Sequence, residues 1–363
     1  MKKIYLLICC VVALITSVQA HPPTGIVVDK LGNVFFTDLE TVWKLDTNGG
    51  LKIVRPGISG RHVHELTIDS ADNLYGADVS YESQKLISAV WKITPAGQFS
   101  YLLAPTSDPP RGMGILADEA GLTYSVEQDN RTKKQTLILR RGSDGAVVTL
   151  AGSAYGQIDG KGTAARFGSI GGMAFGPDGS LYLTDGKALR RITMGGEVTT
   201  LVQDLTKRTA DDRPMLFGTN NGILTGISVD VNGNVFLSDA GNQRLLKIDP
   251  GHNVEVVYRG EGEYYPNGVY AKKNGDLYVL EVGFRPPGTW LKPRVRRITA
   301  DRKSDVIATA GSEIEPVSIE KKVPPTRNPW GPVVVAFIGL FLVGAIVFEW
   351  QRRAKRTAGM SAR

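Results

Sequence analysis

One pattern of apolar and polar positions recurs six times along the chain. An apolar strand leads into a tight polar turn, a second strand ends in an acidic residue, and a third strand carries a basic residue before its last apolar position. The copies begin at Gly25, Leu66, Met113, Gly172, Gly226 and Gly268. Turns such as "DVNGN", residues 230–234, place Asp and Gly where a hairpin needs a side-chain acceptor and a positive φ. A short fourth strand typically follows across another turn.

Four-stranded units that begin 41 to 59 residues apart are typical of a propeller with insertions. The chain is therefore predicted to be all-β, with a six-bladed β-propeller of four-stranded antiparallel blades at residues 21–310. Each unit is continuous in sequence, which favours closure of the ring by packing of the sixth blade on the first. The alternative is an extra edge strand from "EPVSIE", residues 315–320.

The two ends of the chain carry targeting signals. Lys2 and Lys3 precede an apolar run that ends in small residues, which predicts a signal peptide at 1–20. Trp330 and Trp350 bracket an apolar stretch long enough to cross a bilayer, so a C-terminal transmembrane helix is predicted at 332–350, after a Pro- and Glu-containing linker at 311–331. The basic tail at 351–363 predicts a cytoplasmic C-terminus. We expect a single-pass membrane protein whose propeller is exported, to the periplasm or the cell exterior.

Composition changes this picture in two ways. Of the 43 basic and 36 acidic residues, seven basic and one acidic lie in the two end segments, so residues 21–331 are nearly neutral and nucleic acid is not an expected partner. The two cysteines, Cys9 and Cys10, belong to the predicted signal peptide. The exported part would therefore have no disulfide and would depend on packing for stability.

A glycine-rich segment, "LAGSAYGQIDGKGTAARFGSIGGMAF" at 150–175, lies between the third and fourth units. It lacks the spacing of a phosphate-binding loop, and a strand rather than a helix follows it. It resembles the inter-blade linkers of NHL-repeat propellers, whose features it matches in order at Ala151-Gly152, Asp159-Gly160, Gly162, Ala165-Arg166-Phe167 and Gly172. The resemblance extends more loosely over residues 25–309 and implies that this segment connects blades three and four.

Candidate binding residues gather where the chain crosses from one blade to the next, because these crossings and the second-strand ends share one face of a propeller. Two histidines at i and i+2 of an extended segment point the same way and would suit a shared ligand or metal, but no third histidine accompanies them, so no metal site is predicted. The predicted ligand is small and polar or anionic, or else a protein. The candidate ligand-binding residues are His62, His64, Glu65, Arg111, Arg166, Asn220 and Asn267.

Two further sets of charged residues recur in every unit, and we interpret both as structural. The acids at the second-strand ends would hold loops by accepting backbone N–H groups. The third-strand basic residues would lay their alkyl stems on the blades. The acids are Asp38, Asp78, Asp129, Asp185, Asp239 and Glu281, and the basic residues are Lys44, Lys92, Arg141, Arg191, Lys247 and Arg297.

A second resemblance bears on catalysis. Pro266-Asn267-Gly268 looks like a motif of the senescence-marker/gluconolactonase propellers, which share the six-bladed fold and hold a divalent metal. Pro22-Pro23-Thr24 stands where that family has a glutamate, and no blade follows to supply its aspartate. We therefore expect a binding module without a cofactor. The alternative is a lactonase or esterase that depends on Ca or Zn; the question of enzymatic activity stays open, with the sequence favouring none.

Overall fold

The computed structural model describes residues 23–82, 85–107, 112–118, 122–128, 134–142, 144–212, 223–285, 289–311 and 315–316. All of them belong to one compact unit of the chain, Met1–Ile319. The predicted signal peptide, the transmembrane helix, the basic tail and almost all of the linker lie outside the described residues. Among the residues that are described, no helix is long and apolar enough to cross a membrane.

The first half of the described chain forms three blades of four antiparallel strands. Blade one contains β1 (Ile26–Val28), β2 (Val34–Thr37), β3 (Val42–Leu45) and β4 (Leu51–Arg55). Blade two contains β5 (Arg61–Ile68), β6 (Leu74–Glu82), β7 (Lys85–Ile93) and β8 (Phe99–Thr106). Blade three contains β9 (Gly112–Ala117), β10 (Thr123–Gln128), β11 (Gln135–Arg141) and β12 (Val147–Ala154).

Three more blades follow a linker that contains β13 (Gly160–Lys161) and one 3₁₀ turn at Gly162–Ala164. Blade four contains β14 (Ile170–Phe175), β15 (Leu181–Asp185), β16 (Ala188–Ile192) and β17 (Glu197–Val202). Blade five contains β18 (Leu224–Val229), β19 (Val235–Asp239), β20 (Arg244–Ile248) and β21 (Val254–Arg259). Blade six contains β22 (Tyr264–Ala271), β23 (Leu277–Arg285), β24 (Thr289–Ile298) and β25 (Ser304–Thr309). The predicted all-β six-bladed architecture is confirmed.

The ring closes in the two ways that the sequence left open. Each inner strand packs against the next, and β22 of blade six packs against β1 of blade one. In addition β26 (Glu315–Pro316) pairs in parallel with β4, so the end of the described chain adds a fifth strand to blade one. Packing of the sixth blade on the first and the alternative of an added edge strand are thus both confirmed, the latter for Glu315–Pro316, which pair with the outer edge of β4.

The antiparallel order determines what each face of the disc carries. Inner strands begin, and second strands end, on one face, which we call the channel face. The turns between first and second strands lie on the opposite face, as do those between third and fourth strands. His252, in the turn between β20 and β21, therefore lies opposite the channel face.

Candidate functional site

The acids at the second-strand ends are buried and paired. Asp185 and Glu281 have no exposed surface, and they accept hydrogen bonds from Arg190 at 2.9 Å and Arg294 at 2.6 Å. Burial raises the pKa of Asp185 while Arg190 opposes the rise. Asp38 instead accepts from the indole of Trp43 at 2.9 Å. The expected backbone amide donors are confirmed for Asp38, Asp185 and Asp239. The donors to Asp78 and Glu281 are side chains instead. Asp129 lies outside the described residues.

Arginines behind these acids are residues that the sequence pattern did not single out. Arg190 stacks on Phe167, 4.8 Å from the ring centroid, and joins Asp185 to Asp159 of the linker. A related network joins Arg244 to Asp239 and Asp212. The sequence does contain a pattern that could have identified such partners of the acids. In several repeats the residue just before the third-strand basic position is Arg or Trp. The basic positions that we did predict lie on the blade surface, as Lys44 over Phe35 and Lys92 over Tyr75 illustrate.

The glycine-rich linker between blades three and four is held in place by hydrogen bonds and by buried side chains. Asp159 accepts hydrogen bonds from the amide and hydroxyl of Thr200 at 2.9 and 2.8 Å, and from Arg190 at 2.8 Å. Ala165 and Phe167 are fully buried, whereas Arg166 between them is exposed. The backbone of Arg166 is fixed by Ile158 and Arg190. The connecting role expected of this segment is what the structure shows.

The predicted ligand-binding residues fall into three groups. His62, His64 and Glu65 belong to β5, and Asn267 belongs to β22, so these four lie within inner strands rather than before them as the sequence pattern suggested. Arg166 lies in the linker. Arg111 and Asn220 lie outside the described residues.

The two histidines of β5 lie side by side. The ring centroids of His62 and His64 are 5.9 Å apart at an interplanar angle of 77°, and both rings are partly exposed. No group of three or more His, Cys, Asp or Glu side chains among the described residues is arranged to hold a metal ion. A neutral imidazole carries one donor and one acceptor nitrogen, so both rings are of a chemical type suited to a polar ligand.

Blade one holds the backbone of this pair in place. The hydroxyl of Thr37 donates to the carbonyl of Val63 at 3.1 Å, and the amides of Thr24 and Gly25 donate to the carbonyl of His64 at 2.9 and 2.8 Å. The amide of Val63 donates to the carbonyl of Leu39, a non-glycine residue with a φ of 87°. Strained backbone of this kind persists where the surroundings determine it, and it clusters at functional sites.

Asn267 of blade six forms hydrogen bonds to residues of blades one and five. Its fully buried carboxamide NH₂ donates to the carbonyl of Pro23 at 2.7 Å, and the backbone carbonyl of Asn267 accepts from the hydroxyl of Thr225 at 2.8 Å. Pro23 and Thr24 thus lie between Asn267 on one side and His64 on the other. The asparagine is fully buried, whereas His62 and His64 are half-buried.

Glu65 differs from Asp185 and Glu281 because no basic side chain among the described residues pairs with it. Its Oε2 accepts the amide of Ile115 in blade three at 3.1 Å. Burial raises the pKa of Glu65 to about 7, although the Ile115 amide opposes the rise. Near neutral pH this carboxyl can therefore either donate or accept a proton.

Comparison with known proteins supports the fold and little more. No protein-family model matches the chain, and no curated protein is similar enough to be a relative. Among solved structures, a streptogramin B lyase is similar with a TM-score of 0.51 and 17% identity, over 80% of this chain and 84% of the lyase. A protein of unknown function from Bacteroides thetaiotaomicron also has a TM-score of 0.51 at 17% identity, over 72% of this chain and 67% of that protein.

A calcium-binding regucalcin from Agrobacterium tumefaciens is similar at a TM-score of 0.46 and 15% identity, over 71% of this chain and 81% of the regucalcin. The chain is thus a six-bladed β-propeller whose structural neighbours include lyase and regucalcin-like propellers. At these identities the likeness shows the fold alone. Membership of the NHL-repeat group stays a prediction.

Proposed function

We propose that this protein is a membrane-anchored, exported propeller that binds a small polar or anionic ligand, or a protein, at its channel face. The observation that carries the proposal is the side-by-side pair of His62 and His64, partly exposed on a backbone that blade one holds rigid. A ligand site needs polar groups that are fixed before the ligand arrives. The anchoring and export rest on the predicted segments 1–20 and 332–350.

The other charged groups of this face support the choice of the histidines. The described acids at the second-strand ends are engaged with arginine or tryptophan side chains, so little of their hydrogen-bonding capacity is left for a ligand. The same engagement weighs against the alternative, a metal-dependent lactonase or esterase, which would need oxygen ligands for Ca or Zn. That alternative is kept as an outcome of the test below.

The test is a binding screen with matched variants. Purified full-length protein would be tested by thermal shift and calorimetry against sugar acids, di- and tricarboxylates, phosphates and lactones, together with metal analysis and a lactone and ester hydrolysis assay. We expect His62→Ala with His64→Ala to weaken binding of any hit by about tenfold or more, equivalent to about 1.4 kcal/mol. His252→Asn is the control, because His252 has a φ of 65°, which Asn tolerates, on the opposite face.

Equal binding by the double variant would contradict the proposed site. Metal-dependent turnover of a lactone or ester would favour the hydrolase instead.

A further inference from the structure

One position of the inner strand is glycine in five blades and glutamate in the sixth. It immediately precedes the first apolar residue of each inner-strand repeat. The glycines are Gly25, Gly114, Gly172, Gly226 and Gly268, and blade two has Glu65 at the same place. In blades two to six the pairing of the first and second strands has a β-bulge around this position. Because blade two shares the bulge, Glu65 does not result from a shift of register.

Close approach of neighbouring inner strands explains the glycines. A Cβ on Gly25 would lie 2.8 Å from the amide nitrogen of Leu66 in blade two, and one on Gly226 would lie 2.6 Å from the Cα of Gly268 in blade six. A Cβ on Gly172 would lie 2.5 Å from the carbonyl of Thr225. Such distances leave no space for a side chain, so at these junctions the strands are in backbone contact.

The junction between blades two and three is built differently. At this junction the amide of Ile115 takes the place that the amide of Leu66 has between blades one and two. The carboxyl of Glu65 accepts a hydrogen bond from this amide at 3.1 Å. A whole side chain therefore lies where the other described junctions have backbone against backbone. We call this junction the seam.

The packing along the seam is also different. Hydrophobic clusters span blades one and two, three and four, four and five, five and six, and six and one. None of the clusters formed by the described residues spans blades two and three. A cavity of about 20 Å³ lies there instead, lined by apolar side chains such as Val90, Leu103 and Ile115 together with small or hydroxyl side chains such as Ala77 and Ser125. The side chains that line a cavity lack van der Waals partners on that side, so less free energy is needed to separate these two blades.

We propose that the ring of blades opens at the seam, and that the charge of the Glu65 carboxyl controls this opening. Glu65 is half-buried between the strands, and its protonated carboxyl fits this position. The ionised carboxyl keeps the hydrogen bond from Ile115 but loses its hydration there, so ionisation favours the open seam, where water reaches it. The inference does not depend on the identity of any ligand.

Glu65 is the group whose carboxyl bridges the two inner strands of the seam. Burial is the largest influence on the pKa of Glu65, which it raises to about 7, and the Ile115 amide opposes it. Asp78 on the neighbouring strand is paired with Arg55 on the side facing blade one. The other acidic, basic or histidine residues on the elements around Glu65 are Arg61, His62 and His64 of β5, Glu82 of β6, Asp118 after β9 and Glu127 of β10, and the tyrosines there are Tyr75, Tyr81 and Tyr124.

Hydrogen exchange read by mass spectrometry on the full-length protein tests the proposal. With a pKa of about 7 in the closed seam and about 4.3 in water, the opening equilibrium should rise about tenfold between about pH 6 and about pH 8.5. After correction for intrinsic rates, segments 61–68 and 112–118 should lose protection by about that factor. Segments 170–175 and 224–229, at the glycine junction of blades four and five, should not change.

Two variants separate the carboxyl from its surroundings. Glu65→Gln keeps the shape and should make exchange at the seam independent of pH, whereas Glu127→Gln, which removes a nearby carboxylate on β10, should leave the wild-type response. Equal protection of the seam at both pH values would overturn the proposal. So would a response that persists in Glu65→Gln, or one shared by the junction of blades four and five.

Discussion

At the scale of single residues, neighbouring arginines in one strand have opposite roles. Arg190 is fully buried and bonds Asp185 at 2.9 Å, whereas Arg191 pairs with Asp178 at 2.5 Å with 38% of its side chain exposed. Arg190→Ala would leave a buried carboxylate unpaired, and we expect it to lower the free energy of unfolding by about 3–5 kcal/mol. Arg191→Ala should cost about 1 kcal/mol or less. Urea unfolding of both variants measures the difference; equal losses would contradict the buried network.

Glu65 gives a second prediction at this scale, on pH dependence. Its pKa is about 7 in the folded protein, above the value of about 4.3 in the unfolded chain. The folded state therefore holds the proton more tightly, so this group's contribution to stability is complete below about pH 4.3 and is lost as pH rises through 7. Relative to Glu65→Gln, the wild type should lose about 1–3 kcal/mol over this range. Melting temperatures of both proteins from about pH 4 to pH 8 measure this loss. A difference in melting temperature that stays constant over this range would contradict the raised pKa of Glu65.

At the scale of strands, the glycine contacts between inner strands determine how tightly the ring closes. A Cβ on Gly226 would meet the Cα of Gly268 at 2.6 Å, whereas one on Gly195, in a turn, would meet nothing closer than the Thr193 hydroxyl at 3.7 Å. We expect Gly226→Ala to destabilise the propeller by about 1–3 kcal/mol through overpacking. Gly195→Ala should be neutral or slightly stabilising, because it restricts the unfolded chain. Chemical unfolding of the two variants checks this, and a tolerated Gly226→Ala would contradict the close approach.

The strands were predictable from sequence because their signals are local. Alternating apolar positions and Asp/Gly turns occur within each repeat, and six copies reinforce one another. The pair of Arg190 and Asp159 was not predictable, because 31 residues separate its members and only the folded linker brings them together. The enclosure of Asn267 was missed for the same reason: the Pro23 carbonyl that it binds is 244 residues away in sequence. Glu65 was predicted as a polar residue of the channel face. The aligned repeats already show that it replaces the glycine of the other five blades, but only the structure shows why that glycine matters.

At the scale of the whole molecule, the predicted topology is a claim about the membrane that can be tested directly. The signal peptide at 1–20, the span at 332–350 and the basic tail predict that the propeller is outside the cytoplasm and the C-terminus inside. Protease added to intact cells or spheroplasts should digest the linker at 311–331 before the blades, since backbone hydrogen bonds protect the strands. A C-terminal tag should survive until the membrane is broken.

The control for this experiment is a variant with the orientation signal reversed. Replacing Arg352, Arg353, Lys355 and Arg356 with neutral residues, and adding lysines before Trp330, would oppose the positive-inside rule while leaving the blades untouched. We expect the wild-type tag to be protected and the altered chain to show partial loss of that protection. A propeller that resists protease in wild-type spheroplasts, yet is cut as soon as they are lysed, would place the channel face in the cytoplasm and exclude an extracytoplasmic ligand.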